Sequence, residues 1–339
     1  MMYSITFTIK KYIITGLALT LATVLTLPAY AVPITLNDGT FDFSAELRTG
    51  SSDLGVIFFH GRGQHPNGDV VRHLGTSLND RGHTTLSLSN PVPASGLTDF
   101  QSYANGEDYI DDLVFARLGV ALNNFSSQGI NRVVLSGFSL GSRFATASAA
   151  AIDQGMIDLS GYGMELVGLV GVGMYSSLAG SAPTTANDLN VLDTIGNLAL
   201  INSINVLDIY GSNDTQAVVN AGLRRTSFAG KPDFYEQKII DCPPNDGTYY
   251  ARSNGVYVPY YKNGNVNRCH QLRSAYTFDG TNYTLDPNYS LRNSANAPLE
   301  SIVGDFFTRH FETVTVSEPA SILLLFLGLP LLLIVRQRD

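Results

Sequence analysis

Apolar residues recur in two rhythms along the middle of the chain. Strands are read at 84–88 and 234–240, and short, mostly apolar runs occur at 54–60, 132–136, 166–172 and 206–210, with Val56, Ile57, Phe58 and Phe59 in direct succession in the first of these. That length and branching predict strands buried on both faces. Between these runs the spacing changes to three and four residues. Over 109–125 it lines up Ile110, Leu113, Val114, Leu118, Ala121, Leu122 and Phe125 on one face, which predicts an amphipathic helix. Further helices are predicted over 68–81, 140–152, 189–200 and 297–311. Strands alternating with helices imply a mostly parallel sheet covered on both faces. In such sheets ligands bind at the carboxyl ends of the strands. Residues 32–316 are long enough for one large domain.

The two ends read as addresses rather than fold. Lys10 and Lys11 precede an apolar run over 12–27, and Ala29-Tyr30-Ala31 supplies a small-residue cleavage site. This order predicts a secretory signal peptide over 1–31. At the other end, Ser317-Glu318-Pro319-Ala320-Ser321 leads into an apolar run over 322–335, followed by Arg336 and Arg338. That run has 14 residues, short of the roughly 17 to 25 that a spanning helix needs. The three-part order of 317–339 resembles the PEP-CTERM sorting signal. The resemblance implies an exosortase-type processing enzyme as partner and a transient membrane association through the C-terminal segment. It also implies export to the periplasm, outer surface or extracellular matrix of a Gram-negative bacterium. A plain C-terminal transmembrane anchor is the alternative.

Charge narrows the partners. The chain carries 21 basic and 29 acidic residues, a net of −8, and four of the basic residues sit in the two ends. The acidic remainder disfavours nucleic acid or anionic lipid as the main partner. The two cysteines, Cys242 and Cys269, are predicted to pair as a disulfide in an exported protein, two free thiols being the alternative. No soft ligands cluster beside them, so no metal site is expected. The segment they bracket, 242–269, is rich in Tyr, with Asn254-Gly255 and Asn263-Gly264 as turn signals, and reads as a hairpin-like insertion. Its tyrosines either stack on a ligand or form a small core of their own.

The chemistry concentrates after the strand at 132–136. The stretch Ser136-Gly137-Phe138-Ser139-Leu140-Gly141 runs from that strand into a helix-forming segment. A G-x-S-x-G in this setting is a nucleophile elbow, in which Ser139 stands on a tight strand-to-helix turn at the positive end of the helix. The first strand runs into His60-Gly61-Arg62-Gly63. After the strand at 206–210 comes Gly211-Ser212-Asn213-Asp214, with Asp208 inside the strand as a weaker acid. The order Ser, then Asp, then His leaves His270 and His310 as bases. His310 falls on the apolar stripe of the last helix, so His270 is preferred.

Residues 54–311 resemble the α/β-hydrolase superfamily through these motifs. The texts around His60-Gly61-Arg62-Gly63-Gln64-His65-Pro66 and Leu207-Asp208-Ile209-Tyr210-Gly211-Ser212 resemble those of bacterial envelope hydrolase-like proteins. The resemblance implies an α/β-hydrolase fold with a disulfide-bridged insertion near its C-terminal end. It implies Ser139, Asp214 and His270 as catalytic residues and the N–H groups of Arg62 and Leu140 as an oxyanion hole. It implies no cofactor. The expected substrate is a small-molecule or polysaccharide-linked ester or thioester. The competing expectation is a non-catalytic envelope or matrix-binding protein on a hydrolase scaffold, motivated by the distant His and the Tyr-rich insertion.

Overall fold

The computed structural model describes residues 30–91, 108–176, 191, 193–230, 232–253, 255–262, 266–291 and 297–312. Residues 1–29 of the predicted signal peptide 1–31 and the whole of the segment 317–339 predicted to be a sorting signal lie outside the described residues. Among the described residues, no helix is long and apolar enough to cross a membrane.

Eight strands form the central sheet: β1 (Val32–Asn37), β2 (Asp42–Arg48), β3 (Leu54–Phe59), β4 (Thr84–Leu88), β5 (Arg132–Phe138), β6 (Glu165–Val172), β7 (Asn205–Gly211) and β8 (Tyr235–Ile240). Their spatial order is β1-β2-β4-β3-β5-β6-β7-β8. β2 runs antiparallel to both β1 and β4, and every pairing from β4 onward is parallel. The six predicted strands are β3 to β8. β1 and β2 carry no apolar run, because only residues such as Phe43 and Ala45 of β2 turn into the core while β1, at one edge of the sheet, is largely exposed.

Among the described residues, six α-helices flank the sheet: α1 (Asp69–Asp80), α2 (Asp108–Ser127), α3 (Leu140–Asp153), α4 (Thr194–Leu198), α5 (Ala221–Ser227) and α6 (Pro298–His310). Alternate residues of each buried strand face opposite sides, which is why those strands are apolar throughout. Ile57, Phe59, Val133, Leu135 and Leu169 pack with Leu118, Leu122 and Phe125 of α2 and Phe144 of α3. Val56, Phe58, Val134, Val170 and Leu207 pack with Leu74 and Leu78 of α1 and Val303, Phe306 and Phe307 of α6. The helix predicted over 189–200 is a single short turn, α4, whose start is capped by the Asp193 carboxylate accepting the Gly196 N–H at 3.0 Å.

After β8 the chain leaves the main sheet. β9 (Tyr249–Ser253) and β10 (Val256–Pro259) form a hairpin, and β11 (Tyr261–Lys262) pairs with β12 (Val266–Asn267). β13 (Tyr276–Phe278) and β14 (Tyr283–Leu285) then join β9, giving a second sheet in the order β10-β9-β13-β14. This sheet therefore reaches past the predicted insertion 242–269. Tyr250, Tyr257, Tyr276 and Tyr283 pack on one another, with Tyr257 and Tyr283 stacked at 4.0 Å. The tyrosines thus form a small aromatic core of their own. Cys242 and Cys269 are joined as a disulfide, with Cα atoms 5.7 Å apart.

Candidate active site

Ser139 ends the turn from β5 into α3 with φ 54° and ψ −116°, in the left-handed half of backbone space. A residue with a Cβ is strained there, and surrounding contacts must hold it. The Ser139 N–H donates to Val172 O at 2.8 Å, which ties the turn to the end of β6. The Ser139 carbonyl accepts from Ser142 N at 3.0 Å and from Ser142 Oγ at 2.6 Å. Glycine is needed on either side. A Cβ on Gly137 would collide with the Gly141 carbonyl, and one on Gly141 would lie 2.5 Å from His60 O and run into Phe59. The start of α3 is thereby pressed against the end of β3.

His270 Nε2 lies 2.7 Å from Ser139 Oγ, and His270 Nδ1 lies 2.7 Å from Asp214 Oδ2. The pairing with a carboxylate puts the imidazole proton on Nδ1 and leaves Nε2 to accept the Ser139 O–H. Asp214 is fully buried, and its Oδ1 accepts from the N–H groups of Gln216 at 3.1 Å and Ala217 at 3.2 Å. One carboxylate therefore holds its own loop with one oxygen and the imidazole with the other. The sequence-predicted Ser139, Asp214 and His270 meet here although the last two are separated by β8 and the whole β9–β12 excursion.

His270 is held by its neighbours in the chain. His270 follows Cys269 directly, and Leu272 closes a tight turn with φ 46° and its N–H on Cys269 O at 2.9 Å. The imidazole lies against the rings of Phe138, at 5.3 Å, and Tyr175, at 6.3 Å and edge-on. Gly173 was not singled out by its sequence, yet a Cβ there would stand 2.9 Å from His270 Cε1. The only signal for it is its place just past β6, at the ligand-binding edge of the sheet.

A serine on a strained turn after the central strand, followed by an acid after β7 and a histidine after β8, decides the architecture. The chain has the α/β-hydrolase fold. No protein-family model matches the sequence, and no curated protein matches it. Solved structures similar to this chain include a dienelactone hydrolase from Anabaena variabilis, with 16% identity over 63% of this chain and 87% of that one and a TM-score of 0.43. A lipase/esterase from Lactobacillus plantarum shares 14% identity over 62% of this chain and 92% of that one, with a TM-score of 0.47. A dienelactone hydrolase-like promiscuous phosphotriesterase from metagenomic libraries shares 15% over 84% and 100%, also with a TM-score of 0.47.

Asp208 and His310 have other tasks. Asp208 is buried in β7, where its Oδ2 accepts from Arg224 Nε at 2.8 Å, the Tyr235 hydroxyl at 2.8 Å and Gln237 Nε2 at 2.9 Å. Burial, and then the Asp208 carboxylate, push the Tyr235 hydroxyl well above its ordinary pKa. Arg224 also donates to Ala217 O at 2.8 Å, so this node braces the loop that carries Asp214. His310 lies 2.9 Å from Glu236 Oε1 with its ring against Phe306. Arg309 first, and His310 after it, hold the Glu236 carboxyl down to about 2. Arg62 is exposed on the tight turn in which Gln64 N donates to Gly61 O at 3.1 Å. Leu140 begins α3, where a first-turn N–H has no partner within its helix. Among the described residues, no group of three or more His, Cys, Asp or Glu side chains is placed to hold a metal ion.

His60 is a structural histidine with a pH consequence. Its Nδ1–H donates to Gly61 O at 2.8 Å, and its Nε2 accepts the Asn90 N–H at 3.1 Å. Burial lowers its pKa from 6.5 to about 4. The fold therefore favours the neutral ring. That contribution is complete above the unfolded value and is lost as pH falls from 6.5 toward 4, amounting to about 3 kcal/mol at most. Urea unfolding at neutral and mildly acidic pH should show a smaller acid loss for His60→Gln than for the wild type. Equal losses would rule out this role.

Proposed function

We propose that this chain is an exported serine hydrolase that cleaves carboxylic esters or thioesters. The observation that carries the reading is the continuous contact from Asp214 through His270 to Ser139, at 2.7 Å on each side of the ring. His270 takes the Ser139 proton as Oγ attacks the substrate carbonyl, and Asp214 orients and stabilises the resulting imidazolium. The glycine contacts that press α3 against the end of β3 support pairing the Leu140 N–H with that of Arg62 around the developing oxyanion. His270 returns its proton to the leaving alcohol or thiol. A water activated by the same imidazole then releases the acyl group from Ser139. The disulfide supports an oxidising compartment, in line with the leader at 1–31 and the PEP-CTERM-like segment at 317–339. The self-packed tyrosines and the placement of His270 on Ser139 support catalysis over the matrix-binding alternative.

The test is active-site labelling with a fluorophosphonate, read by intact mass on oxidised protein. One adduct is expected on the wild type and none on Ser139→Ala, with labelling of His270→Ala slowed by several orders of magnitude. A folded, disulfide-bonded wild type that takes no adduct would refute the proposal.

A further inference from the structure

Arg143 stands four residues after Ser139 on α3 and is 3% exposed. Its guanidinium lies over the face of Tyr175, with Cζ 3.6 Å from the ring centroid. The same Tyr175 ring meets His270 edge-on. One aromatic ring thus separates this cation from the imidazole of the site.

The guanidinium is unfinished. Among the described residues, Nε and Nη2 are both buried and have no hydrogen-bond partner. These two nitrogens form the side-on edge of the guanidinium, whose parallel N–H bonds match the two oxygens of a carboxylate. Two other buried arginines are supplied with carboxylates, Arg224 by Asp208 and Arg117 by Asp38 at 3.0 Å, while Arg48, far from the site, meets Asn67 Oδ1 at 3.3 Å and leaves one nitrogen, Nη1, unmet. A buried cation without an acceptor is costly, and the Tyr175 face satisfies neither N–H. Burial draws the Arg143 pKa below its ordinary value, yet arginine keeps its charge in proteins.

We infer that Arg143 is a specificity-determining residue that receives a carboxylate of the substrate, so that the preferred ester or thioester carries a free carboxylate besides its scissile bond. This rests on the proposed hydrolase reading. Both N–H groups are closed to water in this arrangement, so the entering carboxylate must part the side chains over them. Arg143 takes no part in proton or acyl transfer. It makes an unpaired buried charge into a selective one, because a neutral ester leaves the fork unmet.

The experiment compares p-nitrophenyl hemiesters of linear dicarboxylic acids of increasing length with the same compounds methylated on the free acid. The proteins are the wild type, Arg143→Met and Arg143→Lys, each checked for folding by circular dichroism and for an active serine by fluorophosphonate labelling. The wild type should show a kcat/KM at least about tenfold higher for one or more anionic esters than for their neutral partners. That ratio should collapse in Arg143→Met and recover in part in Arg143→Lys, which keeps the charge but loses the fork. A wild-type ratio near one, or a ratio unchanged in both variants, would overturn the inference. If Arg143→Met does not fold, the wild-type ratio and the Lys variant decide. If the wild type neither labels nor turns over any ester, the hydrolase reading fails by itself. Calorimetric titration with monomethyl adipate then decides the subsite. Saturable binding weakened at least about tenfold in the variants supports it, and no binding to the wild type removes it.

Discussion

Asp214→Asn should lower kcat by about four orders of magnitude and leave the protein folded. The two oxygens of Asp214 do separate jobs, which makes the substitution unusually clean. Oδ1 accepts from Gln216 and Ala217, and an amide oxygen in its place keeps both bonds and the loop. Oδ2 faces His270 Nδ1, and an amide nitrogen there offers a donor where a donor already points. The ring must then place its proton on Nε2, where it no longer accepts from Ser139. Neutralising the acid also removes the charge that stabilises the imidazolium. Steady-state kinetics on an activated aryl ester, beside a urea melt, check both halves. A melt shifted as far as a core truncation would mean that the lost rate reflects unfolding, and near-normal kcat would remove Asp214 from the proposed chemistry.

Replacing Cys242 and Cys269 together by Ser should lower stability by about 3 to 4 kcal/mol in the chain-entropy account and kcat/KM by a hundredfold or more. The bridge closes a sequence separation of 27 residues. Its position sets the second effect. Cys242 lies just past β8, where its N–H donates to Ser212 Oγ at 3.0 Å, and Cys269 immediately precedes His270. Both sulfurs rest on Gly211 at the end of β7, where any Cβ would collide with Cys269 Sγ and stand 2.7 Å from Cys242 Sγ. The bond thus pins the base to the strand ends from which Asp214 emerges. A displacement of His270 by about an ångström is enough for the rate loss. Denaturation and ester turnover should be measured well below the melting temperature of the variant. Full turnover by a folded double variant would show that the small sheet alone positions His270.

Much of this was legible in the sequence for a physical reason. Strands buried on both faces are mostly apolar, so β3, β5, β6 and β7 appear as runs, and the chain order of Ser139, Asp214 and His270 follows from where the strands end. β1 and β2 alternate or lie exposed, so no run marks them. The glycines flanking Ser139 were readable because the elbow crowds them locally. Gly173 and Gly211 were not, because what crowds them is His270 in one case and the disulfide in the other, both distant in the chain. Arg143 looked like one polar residue in a helix, and only its missing partners set it apart. The predicted insertion stopped at the second cysteine because pairing of β9 with β13 is a long-range register that no local pattern announces.

The sequence separation of 131 between Ser139 and His270 also sets an order of events during synthesis. Domains fold as their segments emerge, so β3, β5 and α3 can seat the nucleophile while the base is still unmade. A chain arrested between Cys242 and Cys269 carries a serine with no imidazole beside it and an unpaired Cys242. On the proposed reading, the molecule gains its chemistry only after residue 270 has been made and Cys242 has paired with Cys269.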